Sequence, residues 1–95
     1  MSTVNVNYKT TKSEAYVWNW IDENLEKMVA RKVPSENIRL FVNKAKQTVE
    51  FKGNTIAGLM TFKDGVIDIN IEIPLLYRMF GSVIRNSILD ILKSM

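Results

Sequence analysis

The clearest structural signal in this sequence is the segment 61–80, which reads TFKDGVIDINIEIPLLYRMF. Every second residue from Ile67 to Ile73 is isoleucine, and the residues between them are polar. This period of two predicts a β-strand with one buried face and one solvent-facing face. At Pro74 the polar residues nearly disappear and the period changes. The strand is therefore expected to run directly into an apolar segment.

Three turn signals upstream of this strand predict a four-stranded antiparallel meander. They lie at Asp64–Gly65, Gly53–Asn54 and Ala45–Lys46. The first is the Asp-Gly pair typical of type I′ hairpins. A two-residue loop at this position sets Phe62 opposite Ile67.

The other two turns predict further pairs. The second turn sets Phe51 opposite Ile56, and the third sets Val42 opposite Val49. All three registers place the apolar residues on one face, and a slip of one residue would turn them outward. The predicted apolar face consists of Ile38, Leu40, Val42, Val49, Phe51, Ile56, Met60, Phe62, Ile67, Ile69, Ile71 and Ile73.

A short strand and a helix are predicted before the meander. Residues 3–8 alternate between polar and apolar, which indicates a first strand. Thr11 and Glu14 have the spacing of a capping box at a helix start, and Pro34 stops a helix that extends to about Lys32. The predicted core stripe of this helix consists of Ala15, Trp18, Ile21, Leu25, Met28 and Val29.

A second helix is predicted at the end of the sequence, with its start left open. Pro74 suits a first helical turn, but Ser82 is chemically a better N-cap, so residues 75–81 can also form a separate turn or an irregular link. The predicted fold is α+β and two-layered. An antiparallel sheet, made of the short N-terminal strand and the four-stranded meander, is covered on one face by two helices in the order β-α-β-β-β-β-α.

The composition excludes several chemistries. The 95 residues correspond to a single domain, and no apolar run is long enough for a transmembrane helix. Cysteine and histidine are both absent, which excludes disulfides, thiolate zinc sites, a cysteine nucleophile and a Ser-His-Asp triad. The carboxylates lie on solvated faces without a pocket, so we expect no catalytic residues, no metal site, no cofactor and no enzymatic activity.

Apolar residues in excess of one core stripe indicate a contact surface. Leu89 falls towards the charged side of the last helix, and Leu75, Leu76 and Phe80 lie in the apolar segment before it. Trp20 lies about 200° around the first helix from Trp18. Two placements stay open for Trp20, an exposed contact with a partner or apolar surface and a position tucked against the sheet edge.

The polar face of the predicted sheet offers an alternative site. Phe41 and Leu59 lie on this face with Arg39 and Lys52. The apolar Phe41 and Leu59, together with Ala57, fit scattered surface residues or the middle of a dimer contact. Aromatic and basic residues on an open sheet can also stack nucleic-acid bases. The net charge of +3 is compatible with a polyanion, but the acidic Glu50 shares the face.

The sequence resembles the small polyhydroxyalkanoic acid system (granule-region) proteins of bacteria. The likeness lies in residues 49–95, VEFKGNTIAGLMTFKDGVIDINIEIPLLYRMFGSVIRNSILDILKSM, and in the helix start KSEA at residues 12–15 after a short first strand. The sequence departs from this family in lacking the histidine often found near the N-terminus and in its many lysines. The resemblance implies a bacterial, cytoplasmic accessory protein associated with polyester storage granules, and it supplies no catalytic residues.

From the resemblance and the apolar excess together we expect a non-enzymatic protein that binds a granule surface or a granule protein. Self-association, as a homodimer, is also expected. The candidate surface contacts are Trp20, Leu75, Leu76, Phe80 and Leu89. The alternative function is a small nucleic-acid-binding or protein-binding adaptor that uses Arg39, Phe41, Lys52 and Leu59.

Overall fold

The fold is a five-stranded antiparallel sheet with helices packed on one face. A computed structural model describes residues 2–95. The order of elements is β1 (Ser2–Lys9), α1 (Glu14–Trp20), a π-helical stretch (Ile21–Leu25), α2 (Glu26–Lys32), a 3-10 turn (Pro34–Glu36), β2 (Arg39–Asn43), β3 (Thr48–Lys52), β4 (Ala57–Lys63), β5 (Val66–Ile73), a 3-10 helix (Leu75–Phe80) and α3 (Gly81–Lys93). The predicted two-layer α+β class is confirmed.

The sheet has the strand order β1-β5-β4-β3-β2. The N-terminal strand adds to the meander beside β5, where Val6 pairs with Ile69 and Val4 pairs with Ile71. The isoleucine-rich strand β5 therefore has a hydrogen-bonded neighbour on each side. The polar residues of β5 lie on the solvent-facing side of the sheet, and neither edge of this strand is open.

The hairpin between β4 and β5 forms as the sequence predicts. Asp64 and Gly65 both have left-handed backbone angles, with φ of 52° and 77°, as a type I′ turn requires. Phe62 pairs with Ile67 as expected. The predicted pair of Val42 with Val49 is confirmed as well.

The predicted register of the turn between β3 and β4 is wrong by two residues. Phe51 pairs with Gly58 and not with Ile56. The loop is longer than two residues and closes with a hydrogen bond of 2.9 Å from the Gly53 amide to the Ile56 carbonyl oxygen. A shift of two leaves each side chain on its original face. The predicted apolar face survives for this reason.

Glu36 supplies the physical cause of the longer loop. Its carboxylate accepts hydrogen bonds from the backbone amides of Thr55 and Ile56, at 2.8 and 3.1 Å, and from the Thr55 hydroxyl at 2.7 Å. The Asn54 amide donates to the Glu36 carbonyl oxygen at 2.8 Å. These contacts hold residues 54–56 outside the ladder, and local turn chemistry does not reveal them.

The first helix starts later than predicted and buries a different stripe. Ser13 is the N-cap and its hydroxyl accepts from the Tyr16 amide at 3.1 Å, so the expected capping box at Thr11 does not form. Ala15 is exposed. The stripe is centred nearer to Ile21, and its buried members are Val17, Trp18, Trp20, Ile21, Leu25 and Val29.

The link between β5 and the last helix is a separate 3-10 helix. It follows Pro74 directly, and α3 begins at Gly81 and not at either predicted start. No side-chain cap is present at the start of α3. Of the alternatives that the sequence left open, a separate turn before the last helix is the one that forms, over Leu75–Phe80.

The core lies between the helices and the inner face of the sheet. Ile67, Ile73 and Val49 are fully buried, and Trp18 packs its ring edge against Phe62 with centroids 6.5 Å apart. Val42 points to the same side but is 39% exposed. It lies on the edge strand β2, where the helical layer no longer covers the sheet.

Gly58 is required by the close approach of β4 and β5. A Cβ atom there would lie 2.9 Å from the Asn70 carbonyl oxygen and 3.0 Å from the Ile71 Cγ1 atom. We therefore expect Gly58→Ala to lower the free energy of unfolding by about 1–3 kcal/mol. Gly81→Ala is the matched control, because its Cβ would lie 3.7 Å from Val4 in a helix where alanine is favoured by up to about 1 kcal/mol. Urea denaturation of both variants measures this, and equal stabilities would contradict the close-approach argument.

Candidate apolar binding site

A group of large apolar side chains is exposed around the 3-10 helix. Leu76 is 85% exposed and Met79 is 77% exposed. We define the apolar patch by the exposed residues of this region, which are Leu75, Leu76, Tyr77, Met79, Phe80 and Val83. Single exposed apolar residues are normal on protein surfaces, whereas contiguous groups mark interaction sites.

The 3-10 geometry sorts these side chains into rows. With about three residues per turn, residues i and i+3 lie one above the other. Tyr77 and Phe80 form one row, with ring centroids 6.4 Å apart, and both line a cavity beneath the segment. Leu76 and Met79 form a second row, which faces solvent. The segment therefore presents apolar side chains both inward and outward.

The cavity beneath the patch lies between the helical layer and the sheet. Its volume is about 250 Å³. The helical side contributes Val29, Val33 and the α3 isoleucines, and Ile69 and Ile71 form the floor. The apolar character of all these residues is evident from the sequence. The sequence does not predict that the helical layer leaves a space above the sheet.

Besides Tyr77, which carries a hydroxyl, three polar residues border this apolar space: Lys32, Glu36 and Ser87. The Lys32 ammonium lies 4.0 Å from the Asp90 carboxylate, and both side chains are exposed. Such a surface pair contributes little stability. The Glu36 carboxylate is engaged with Thr55 and Ile56.

The pKa of Glu36 reflects two opposing effects. Partial burial raises the pKa, but the hydrogen bonds that the carboxylate accepts from Thr55 and Ile56 together outweigh burial, so the pKa lies below its ordinary value of 4.5. Glu36 is therefore a charged structural residue at neutral pH, and it ties the β3–β4 loop to the 3-10 turn at Pro34–Glu36.

The structure brings together three of the five predicted contact residues. Leu75, Leu76 and Phe80 all belong to the apolar patch. Leu89 is half-buried and packs against the core, so it contributes little outer surface. The sequence pattern did not single out Met79 and Val83 as contacts, although the available signal was the mostly apolar composition of residues 75–83, in which Arg78 and Ser82 are the polar exceptions.

Trp20 is not an exposed contact residue. It is 9% exposed and belongs to the core cluster, which corrects its assignment as a surface contact. Because the buried stripe is centred near Ile21, Trp18 and Trp20 lie at its two margins, and a large indole at either margin can reach the apolar interior. The open alternative of a tucked Trp20 is the one that agrees with this burial.

The residues of the alternative sheet-face site lie side by side. Arg39 pairs with Lys52 across β2 and β3, and the Lys52 ammonium lies 5.8 Å from the centre of the Phe41 ring. Glu50 lies directly opposite both Phe41 and Leu59, and it forms an ion pair with Lys52 at 3.4 Å. An acidic side chain at the centre of this face opposes the approach of a polyanion.

Within residues 2–95, no group of three or more acidic side chains is placed to hold a metal ion. In the same range no helix has both the length and the apolar character needed to cross a membrane.

Comparison with protein-family models, curated proteins and solved structures finds no match to this chain. The resemblance to the granule-region proteins therefore stays a prediction from the sequence.

Replacing Glu36 with Gln tests the electrostatic part of the loop contact. Because the pKa of Glu36 is lowered in the folded state, its carboxylate stabilises the fold above pH 4.5, and this contribution is lost as the pH falls through the lowered pKa. We expect Glu36→Gln to reduce the free energy of unfolding by about 1 kcal/mol at neutral pH, with a smaller difference in acid.

Urea denaturation at neutral pH and at about pH 3 measures both differences. Glu23→Gln is the control, because Glu23 is exposed and its removal should change neither value. A stability difference at Glu36 that stays constant across this pH range would show that the contact does not depend on the charge.

Proposed function

We propose that this protein is a non-enzymatic binding protein that attaches to an apolar surface through the apolar patch. The surface that the sequence resemblance indicates is that of a polyester storage granule or of a protein on the granule. The observation that supports this proposal is the exposure of Leu75, Leu76, Met79 and Val83, at 61–85%.

The side chains of the patch are better suited to binding a broad apolar surface than to catalysing a reaction. Its outward row consists of flexible, unbranched or γ-branched side chains, Leu76 and Met79, which adapt to irregular contacts. Burying one such side chain fully contributes about 1.5–3 kcal/mol. Partial burial of the patch on a flat apolar surface would therefore contribute on the order of 5 kcal/mol, which supports reversible attachment.

A second copy of the chain could compete for the same residues. The expected homodimer would cover the patch with another patch, and this would reduce the area left for a granule. The mass of the protein alone, measured by light scattering across a concentration series, shows whether the protein is already a dimer before granules are added.

Co-sedimentation with polyhydroxybutyrate particles tests the proposal. We expect the protein to pellet with the particles at both low and high salt, because apolar contacts are not screened. The double variant Leu76→Glu and Met79→Glu should pellet at least about tenfold less, since two charges would be desolvated. Both positions are highly exposed, and circular dichroism verifies that the variant is folded.

The matched control is Leu59→Glu, which introduces a charge at an exposed apolar residue of the sheet face. This variant should pellet like the wild type. Equal loss in both variants, or no binding by the wild type, would overturn attachment through the patch. Polystyrene particles serve as an inert apolar reference.

A separate titration with single-stranded DNA, run beside the particle assay, distinguishes the nucleic-acid alternative. If the sheet face bound a polyanion, affinity for single-stranded DNA would fall steeply with salt. It would also fall with the charge reversals Arg39→Glu and Lys52→Glu. Under the proposed function we expect that neither added salt nor these charge reversals alter binding to the polyester particles.

A further inference from the structure

The cavity beneath the apolar patch has the size and lining of a ligand site. Its volume is about 250 Å³, and an apolar protein cavity of about 150 Å³ is large enough to bind benzene. By proportion, the cavity has room for about ten carbon atoms. We propose that it binds the aliphatic chain of a monocarboxylate with about eight to ten carbons, whose carboxylate contacts Lys32.

The side chains that line the cavity determine which kind of ligand chain can bind there. The walls are mostly branched aliphatic side chains, such as Val29, Ile71 and Ile88. A ligand with polar atoms along its length would leave them without hydrogen-bond partners, at a cost of about 1–3 kcal/mol each. A plain hydrocarbon chain leaves no such group unpaired.

The polar residues place the head group at one end. Ser87 and Asp90 lie about one turn apart on α3, and the Lys32 ammonium approaches Asp90. Lys32 and Ser87 are therefore at the same end of the cavity. Glu36 already accepts three hydrogen bonds, so the lining residues that have donors for a ligand are Lys32, Ser87 and Tyr77.

Lys32 can turn to a ligand at little cost. Its nitrogen lies 4.0 Å from the Asp90 oxygen, and the two side chains are 43% and 64% exposed. Exposed ion pairs of this kind are weak. A carboxylate whose chain is anchored in the cavity would compete with Asp90 because the chain holds it in place.

The end of the 3-10 helix and the first turn of α3 form the mouth of the site. Phe80 and Val83 line the cavity and are also exposed, so they lie between the cavity and solvent. Hydrogen bonds in 3-10 helices are less favourable than in α-helices. The 3-10 helix can therefore move to admit the aliphatic chain of the ligand without disturbing the sheet.

This inference does not rest on the proposed function. The patch and the cavity share Tyr77, Phe80 and Val83, but surface attachment also uses the outward row of Leu76 and Met79, which does not line the cavity. A protein with both activities would bind a free carboxylic acid in the cavity and a surface on the patch.

Titration with decanoate, below the concentration at which it forms micelles, tests the site. Methyl NMR spectra of protein labelled at isoleucine should show shifts at Ile69, Ile71 and Ile88, which line the cavity. Ile67 and Ile73 are fully buried but do not line it, so they are internal controls. We expect a dissociation constant of about 0.1 mM, as is typical of ligands of this size. Shifts absent from the lining methyls, or equal at all methyls, would overturn the site.

Variants test the location and the head group separately. Val83→Trp places an indole at the mouth and should weaken decanoate binding at least about tenfold, whereas Val42→Trp, at a partly exposed residue away from the cavity, should bind like the wild type. Ile88→Trp extends a much larger ring into the cavity from α3 and should have the same effect as Val83→Trp. Unchanged binding in both filling variants would overturn the location.

Lys32→Gln should weaken decanoate binding about threefold and leave decanol binding unchanged. Lys63→Gln, an exposed lysine outside the cavity, is the control for loss of positive charge. Equal decanoate affinity in Lys32→Gln and wild type would overturn the assignment of Lys32. The Leu76→Glu and Met79→Glu variant should still bind decanoate, so failure of surface attachment and failure of the cavity site are distinguishable.

Discussion

The pairing of β5 on both of its edges is the constraint on which the other features of this fold depend. Hydrogen bonds to β1 on one side and β4 on the other fix the direction of every side chain in the strand. Four isoleucines are thereby held on one face, and water must be excluded from that face by a second layer. Ile67 and Ile73, at the two ends of the strand, are fully buried. The two isoleucines between them form the floor of the cavity instead.

The cavity follows from the way that two helices cover a twisted sheet. The helical segment formed by α1, the π-helical stretch and α2 ends at Lys32, and α3 begins only after a six-residue 3-10 helix. A 3-10 helix has a narrower backbone than an α-helix, and its rows of side chains are eclipsed. It brings only the row of Tyr77 and Phe80 against the interior, which covers less of the sheet than an amphipathic α-helix would. The remaining apolar side chains of the segment stay at the surface.

The sequence predicted those features that depend on local geometry. The Asp64–Gly65 turn requires two left-handed residues, and only a few residue types tolerate them, so its register was correct. The Gly53–Asn54 register was wrong because Glu36, which is distant in the chain, captures the amides of the loop. The candidate role of Trp20 as a surface contact rested only on its angular position around the first helix, although the size of its ring decides its burial. Leu75, Leu76 and Phe80 were identified by composition, but the space beneath them depends on the relative placement of the helices, which no local pattern encodes.

The position of β1 in the sheet has a consequence for the order in which the protein folds during synthesis. Asn5 and Asp68 are hydrogen-bonded neighbours on β1 and β5, yet they lie 63 positions apart in the chain. At about 5–20 residues per second, a ribosome needs roughly 3 to 13 seconds to make the intervening chain. During that interval Val4 and Val6 have no strand to pair with and remain accessible to chaperones or to other nascent chains. The meander can form first, and the earliest strand to be synthesised is then the last to join the sheet.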